Sequence, residues 1–170
     1  MRITKYLFVI ALFACGEGPT ASTEQERLDG QVLFQYKEMQ LPTMEYKPIA
    51  AEQVRYWTFR NGQLTVRTEI LTAHPGSRLP AAQNTLFWAQ GMYWKEACTG
   101  RSCTYVFELT DGEYFNYQKM ALVSNGSRLY TVDLIFGETG IQLGDNRYLF
   151  TNLENLPLVK NGALNKRSTG

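Results

Sequence analysis

Apolar and polar residues alternate with a period of two through most of the chain between residues 31 and 151, and turn-forming residues break the alternation at short intervals. That period belongs to strands with one buried face rather than to helices. Residues 31–41 read as a first strand, with Val32, Phe34 and Tyr36 on one side and Pro42 ending it. Residues 42–52 then read as an irregular or briefly helical connection.

The best-specified local structure lies between residues 54 and 68, where Asn61-Gly62 separates two alternating runs. Asn-Gly in that setting predicts a type I′ hairpin turn, which needs positive φ at both central positions. A two-residue loop pairs Arg60 with Gln63, Phe59 with Leu64, Thr58 with Thr65, Trp57 with Val66 and Tyr56 with Arg67. Trp57, Phe59, Leu64 and Val66 then share one face, and a slip of one residue would mix the faces.

Residues 71–84 hold two prolines and a glycine and read as a loop. Residues 86–98 are apolar and aromatic, broken at Gly91. Cys98 and Cys103 bracket four residues, and a loop of that length sets the cysteines opposite each other. The same register pairs Trp94 with Phe107 and Met92 with Leu109 on the cysteine face, and sets Tyr93 against Glu108 and Lys95 against Val106 on the other. Asp111-Gly112 and Asn125-Gly126 mark two further turns. Between them, 114–123 reads as a strand carrying Phe115, Tyr117, Lys119 and Ala121 on one face, or as a helix; the Asn125-Gly126 turn favours the strand. Runs at 129–136, 141–143 and 148–151 complete the set, and 159–170 reads as a disordered tail.

About nine short strands with turn signals between them, and no long helix, predict an all-β, antiparallel fold. The succession of hairpins favours an up-and-down barrel, whose closure removes exposed edges, with a β-sandwich as the alternative. The run Trp57-Thr58-Phe59-Arg60-Asn61-Gly62-Gln63-Leu64, with Tyr130-Thr131-Val132-Asp133-Leu134 and Tyr148-Leu149-Phe150, resembles the layout of lipocalin-like domains of bacterial lipoproteins over residues 30–153. That resemblance implies a barrel with an internal ligand site. The Gly-x-Trp of true lipocalins is absent, since Gly30-Gln31-Val32 stands on the first strand.

The N-terminus has a separate pattern. Arg2 and Lys5 precede an uncharged run of eight residues, 6–13. As a helix that run would cover about 12 Å, against roughly 30 Å of hydrocarbon, so it suits an export signal and not a span. Leu12-Phe13-Ala14-Cys15 follows, and resembles the lipobox of bacterial lipoproteins, with bulky Phe13 a mild departure. The resemblance implies removal of signal peptide 1–14 and a diacylglycerol on Cys15, with palmitate-type acyl chains holding the product to a membrane. Two or three chains hold stably where one does not. Gly16, where an inner-membrane retention signal would place Asp, favours the outer membrane of the cell envelope. Residues 16–29 carry one large apolar residue, Leu28, and read as a flexible tether to a domain at 30–158.

Charge and composition narrow the partners. Lys and Arg total 17 against 16 Asp and Glu. Removing Arg2 and Lys5 leaves 15 against 16. A net charge so close to zero argues against nucleic acid and against an electrostatically held membrane patch. With Cys15 lipidated, Cys98 and Cys103 form an even pair in an oxidising compartment, and a disulfide is the expectation. Two sulfurs alone are a poor zinc set, so no metal or other cofactor is expected.

His74, the one histidine, stands beside Pro75 in a loop with no nucleophile or carboxylate placed near it, and the reading is non-enzymatic. Asn125-Gly126-Ser127 matches a glycosylation sequon but reads as a turn. The aromatic surplus, 13% of residues, is the feature that points to binding. Trp57, Phe59, Trp94 and Phe107 share the predicted inward faces, and Lys119 stands on the more apolar face of its strand. In a hollow barrel these would line an apolar pocket with Lys119 at its polar end. Two functions follow: a lipid-anchored barrel that binds or shields a small hydrophobic ligand, or an envelope protein with a filled core and a protein partner.

Overall fold

The computed structural model describes residues 28–161, apart from Met44, Tyr46, Ala73, His74, Ala81 and Ala82. Its strands are β1 (Gln31–Leu41), β2 (Ile49–Arg60), β3 (Gln63–Ile70), β4 (Thr85–Thr99), β5 (Ser102–Asn116), β6 (Ala121–Ser124), β7 (Arg128–Phe136), β8 (Gly140–Leu143) and β9 (Asn146–Asn152). A 3-10 turn, Leu153–Asn155, leads into one short helix, α1 (Leu156–Lys160). Every strand pairing is antiparallel. The sheet runs β4-β3-β2-β1-β9-β8-β7-β5-β6, and the β4–β5 pairing joins its ends. Eight strands thus close an up-and-down barrel of the lipocalin-like kind, with β6 laid on the far half of β5. The sandwich alternative is set aside.

The β2–β3 hairpin has the register its turn dictates, from Arg60↔Gln63 through Tyr56↔Arg67. Asn61 and Gly62 take φ of 50° and 75°, which a type I′ turn requires. Phe59 and Leu64 are fully buried inside the barrel.

The β4–β5 hairpin departs from the expected register. Cys98 does face Cys103, and the two form a disulfide. Glu96 is then looped out between Lys95↔Tyr105 and Ala97↔Thr104, so Tyr93, not Trp94, opposes Phe107. One extra residue turns every later side chain to the other face. A second irregularity follows Gly91↔Leu109. Asp111-Gly112 is no turn: it lies inside β5, opposite Gln90 and Ala89. A Cβ on Gly112 would stand 2.8 Å from that of Ala89, so this glycine serves close packing across the wall. The stretch 114–123 is neither one strand nor a helix, but the end of β5, a turn at 117–120, and β6.

Val32, Phe34 and Tyr36 do share a face, and it is the outer one. Val32 and Phe34 pack with Val54, Tyr56 and Val159 beneath α1. Val159 is wholly buried and Tyr36 Oη donates to its carbonyl at 2.6 Å, so the body runs past 158 into α1. At the other end Leu28 is wholly buried in the main core and the Asp29 carboxylate accepts from Asn61 N, so residues 28 and 29 belong to the body and not to the tether. The connection after β1 is shorter than expected, because β2 begins at Ile49.

Candidate ligand cavity

The inner wall is built by alternation. On β2, inward positions run Ile49, Ala51, Gln53, Arg55, Trp57, Phe59, every second residue facing the same way. The lower end joins the main core, where Phe59 meets Tyr93 edge-on at a ring separation of 5.0 Å. Trp57 and Phe107 stand 5.5 Å apart, and Tyr105, Phe136 and Phe150 continue the aromatic plug. The upper end joins a smaller cluster of Leu41, Ala51, Ile70, Leu79 and Phe115.

Beside the aromatic plug the interior of the barrel opens toward solvent. A cavity of about 320 Å³ is lined by Arg55, Trp57, Val66, Phe87, Phe107, Leu109, Tyr130, Val132 and Leu143. Its wall is almost entirely apolar, and Arg55 and Tyr130, both solvent-exposed, form the rim. Arg55 Nε donates to Thr68 Oγ1 at 3.1 Å. The indole Nε1 of Trp57 is buried and has no hydrogen-bond partner among the described residues.

The expected site is therefore assembled in part. Trp57 and Phe107 line the cavity. Phe59 points inward but is wholly buried in the plug below it. Trp94 is turned outward by the Glu96 bulge and is 38% exposed, and Tyr93 takes its inward place. Lys119 lies in the exposed turn after β5, where its backbone N–H is held by Asn116 Oδ1, and it is not at the cavity's polar end. Arg55 holds that position. It was legible in principle: the Trp57/Phe59 alternation reaches Arg55 next, a cation on an apolar face.

Trp94 instead joins an outer apolar face with Met92 and Leu129, which flank Glu108 across adjacent strands. Cys15 and His74, the sequence candidates for lipidation and for a catalytic base, lie outside the described residues. Among the described residues no three metal-ligating side chains cluster, and no helix is long and apolar enough to cross a membrane.

Fold and cavity together define a closed, lipocalin-like barrel plugged by aromatic rings at one end and hollow above them. Comparison with family models, with curated proteins and with solved structures returns no match to this chain.

Proposed function

We propose that this protein is a lipid-anchored lipoprotein of the cell envelope whose barrel binds or shields a small hydrophobic ligand. The observation that carries the reading is the apolar cavity of about 320 Å³ inside the barrel, within the size range of small-molecule sites. A pocket open to solvent and lined by Val66, Phe107, Leu109 and Val132 leaves apolar surface in water that a hydrophobic ligand would cover. Anchorage is supported by the Leu12-Phe13-Ala14-Cys15 tetrad, and Gly16 after it favours the outer membrane.

An uncharged fluorescent dye, N-phenyl-1-naphthylamine, tests the ligand half. It should bind saturably to the wild-type chain and lose that binding in Val66→Trp, whose indole fills the cavity while circular dichroism stays native. Equal binding by both proteins contradicts the assignment. Labelled palmitate tests the anchor: it should enter the wild-type product and fail to enter Cys15→Ser.

A second reading has its own observation. Met92, Trp94 and Leu129 are 51%, 38% and 66% exposed on neighbouring strands of the outer wall, which supports a protein partner on that face. Leu129→Glu would then release such a partner without touching dye binding.

A further inference from the structure

The hydrogen-bond ladder around the barrel stops short along one edge of β7, whatever the cavity holds. β8 covers only Leu134, Ile135 and Phe136 of β7. Above them, among the described residues, no strand pairs with Arg128 to Asp133 on the side away from β5. The phase of the ladder tells which groups are left over. Phe136 N–H donates to Arg101 on the β5 side, and Gly137 N–H donates to Gly140 on the β8 side. Carried back along the strand, that alternation turns even-numbered residues toward β5 and odd-numbered ones away from it. The backbone N–H and C=O of Leu129 and Thr131 therefore point off the edge of the sheet.

The facing edge of β1 is guarded. It leaves β9 after Phe34, and there Gln35 Nε2 donates to the Arg147 carbonyl at 3.1 Å and Lys37 Nζ to Asn146 Oδ1 at 2.6 Å. The β7 edge has no such cover. Leu129-Tyr130-Thr131-Val132 carries no charge, proline or bulge, the devices by which exposed edges avoid pairing. Exposure is a second, independent observation. Leu129 is 66% and Tyr130 39% exposed, and as neighbours in a strand they point to opposite faces. A cavity occupant reaches only Tyr130, and a partner on the outer wall reaches only Leu129. A strand laid against the edge covers both.

We propose that this edge pairs with the same edge of a second copy of the chain, the two β7 strands running antiparallel about a two-fold axis at Tyr130. That axis sets Leu129 against Thr131 of the second copy, and the two residues exchange both of their free backbone bonds. Side chains opposite one another then share a face, as an antiparallel pair requires. Charge selects a copy of this strand as the occupant and sets its direction. Arg128 stands at one end of the edge and Asp133 at the other. Antiparallel pairing lays the cationic end of each copy beside the anionic end of the other, whereas parallel pairing would set like charges together. A two-fold contact of this kind is closed, so it ends at a dimer.

Tyr130→Cys in the purified full chain, oxidised with copper phenanthroline, tests the pairing. Tyr130 and its equivalent form a non-hydrogen-bonded pair, whose Cα atoms lie about 4.5 Å apart, within reach of a disulfide. A dimer band should form on a non-reducing gel and vanish with reductant. Gln90→Cys, exposed but in the middle of the sheet, should give none. Adding Thr131→Pro to Tyr130→Cys should abolish the dimer, because the proline deletes an N–H on the free edge and none that bonds to β5. Adding Leu129→Lys, which sets a charge on the edge, should do the same, and it keeps the test valid if the proline variant loses its circular dichroism. The wild-type chain should sediment as a dimer and Leu129→Lys as a monomer. A Tyr130→Cys dimer no stronger than that of Gln90→Cys, one that survives the edge substitutions, or a wild-type chain that sediments as a monomer overturns the proposal.

Discussion

Two side chains show how position decides chemistry at the scale of the residue. Tyr36 and Tyr93 are both pushed up to about 12 from an ordinary value of 10.0, each chiefly by burial, with the Asp29 carboxylate adding to the effect at Tyr93. Tyr56 is raised further, by burial and then by its 2.7 Å bond to Glu69. A raised folded-state value means that the neutral phenol is the form the fold favours. The stability it contributes is whole below about pH 10 and is lost as pH rises through about 12. Absorbance at 295 nm should therefore show a late-titrating group of tyrosines, ionising in step with loss of the far-ultraviolet signal. Titration of all ten tyrosines near pH 10 with the fold intact would contradict the burial described. Phe59, with no exposed surface at the centre of the plug, should cost roughly 3–5 kcal/mol when cut to alanine, read by urea unfolding. Phe59 and Trp57 were legible in the sequence, because a strong turn fixes their frame within a few residues. Trp94 was not, because a single extra residue, Glu96, resets the frame and no turn-forming residue marks it.

Elements were readable wherever a local signal set both their ends. The Asn61-Gly62 hairpin carried its own register, and so did the tip of β4–β5, where Cys98 faces Cys103. Beyond that tip the frame depends on bulges, which arise from how two fifteen-residue strands twist around the barrel and not from local propensity. Gly112 misled for a related reason: beside Asp111 it resembles a turn, but tertiary packing against Ala89 is what requires it. Helix α1 escaped notice because five residues hold too little period to detect, and its stability comes from docking. Lys160 lies 3.7 Å from Glu69 and 5.5 Å over the Tyr56 ring, and Val159 fills the gap beneath. Val159→Ala should therefore destabilise by about 2 kcal/mol, the worth of two buried methyl groups. An unchanged urea midpoint would show the helix to be loosely placed. The Cys98–Cys103 bridge closes a short loop, so replacing both cysteines with serine should cost about 2 kcal/mol by the chain-entropy account and leave the barrel folded.

For the whole molecule, hollow and filled turned out not to be alternatives. Aromatic rings occupy the barrel from Phe59 to Phe136, and above Trp57 the interior stands open behind an arginine rim. Composition could report the supply of aromatics but not their distribution, because that follows from strand lengths: β1 to β5 extend beyond the shorter β8 and β9, so the wall is uneven and one side can open. The anchor and the cavity are separable parts of the account, since labelled palmitate speaks only to Cys15 and the dye only to the barrel. The claim that the cavity exists to be occupied is met most directly by native mass spectrometry of the wild-type chain extracted from cell envelopes. A species heavier than the chain by one small organic molecule, absent from Val66→Trp, is the result predicted. Wild type and Val66→Trp that both fly as bare chains, with no adduct under conditions that preserve the fold, would contradict it.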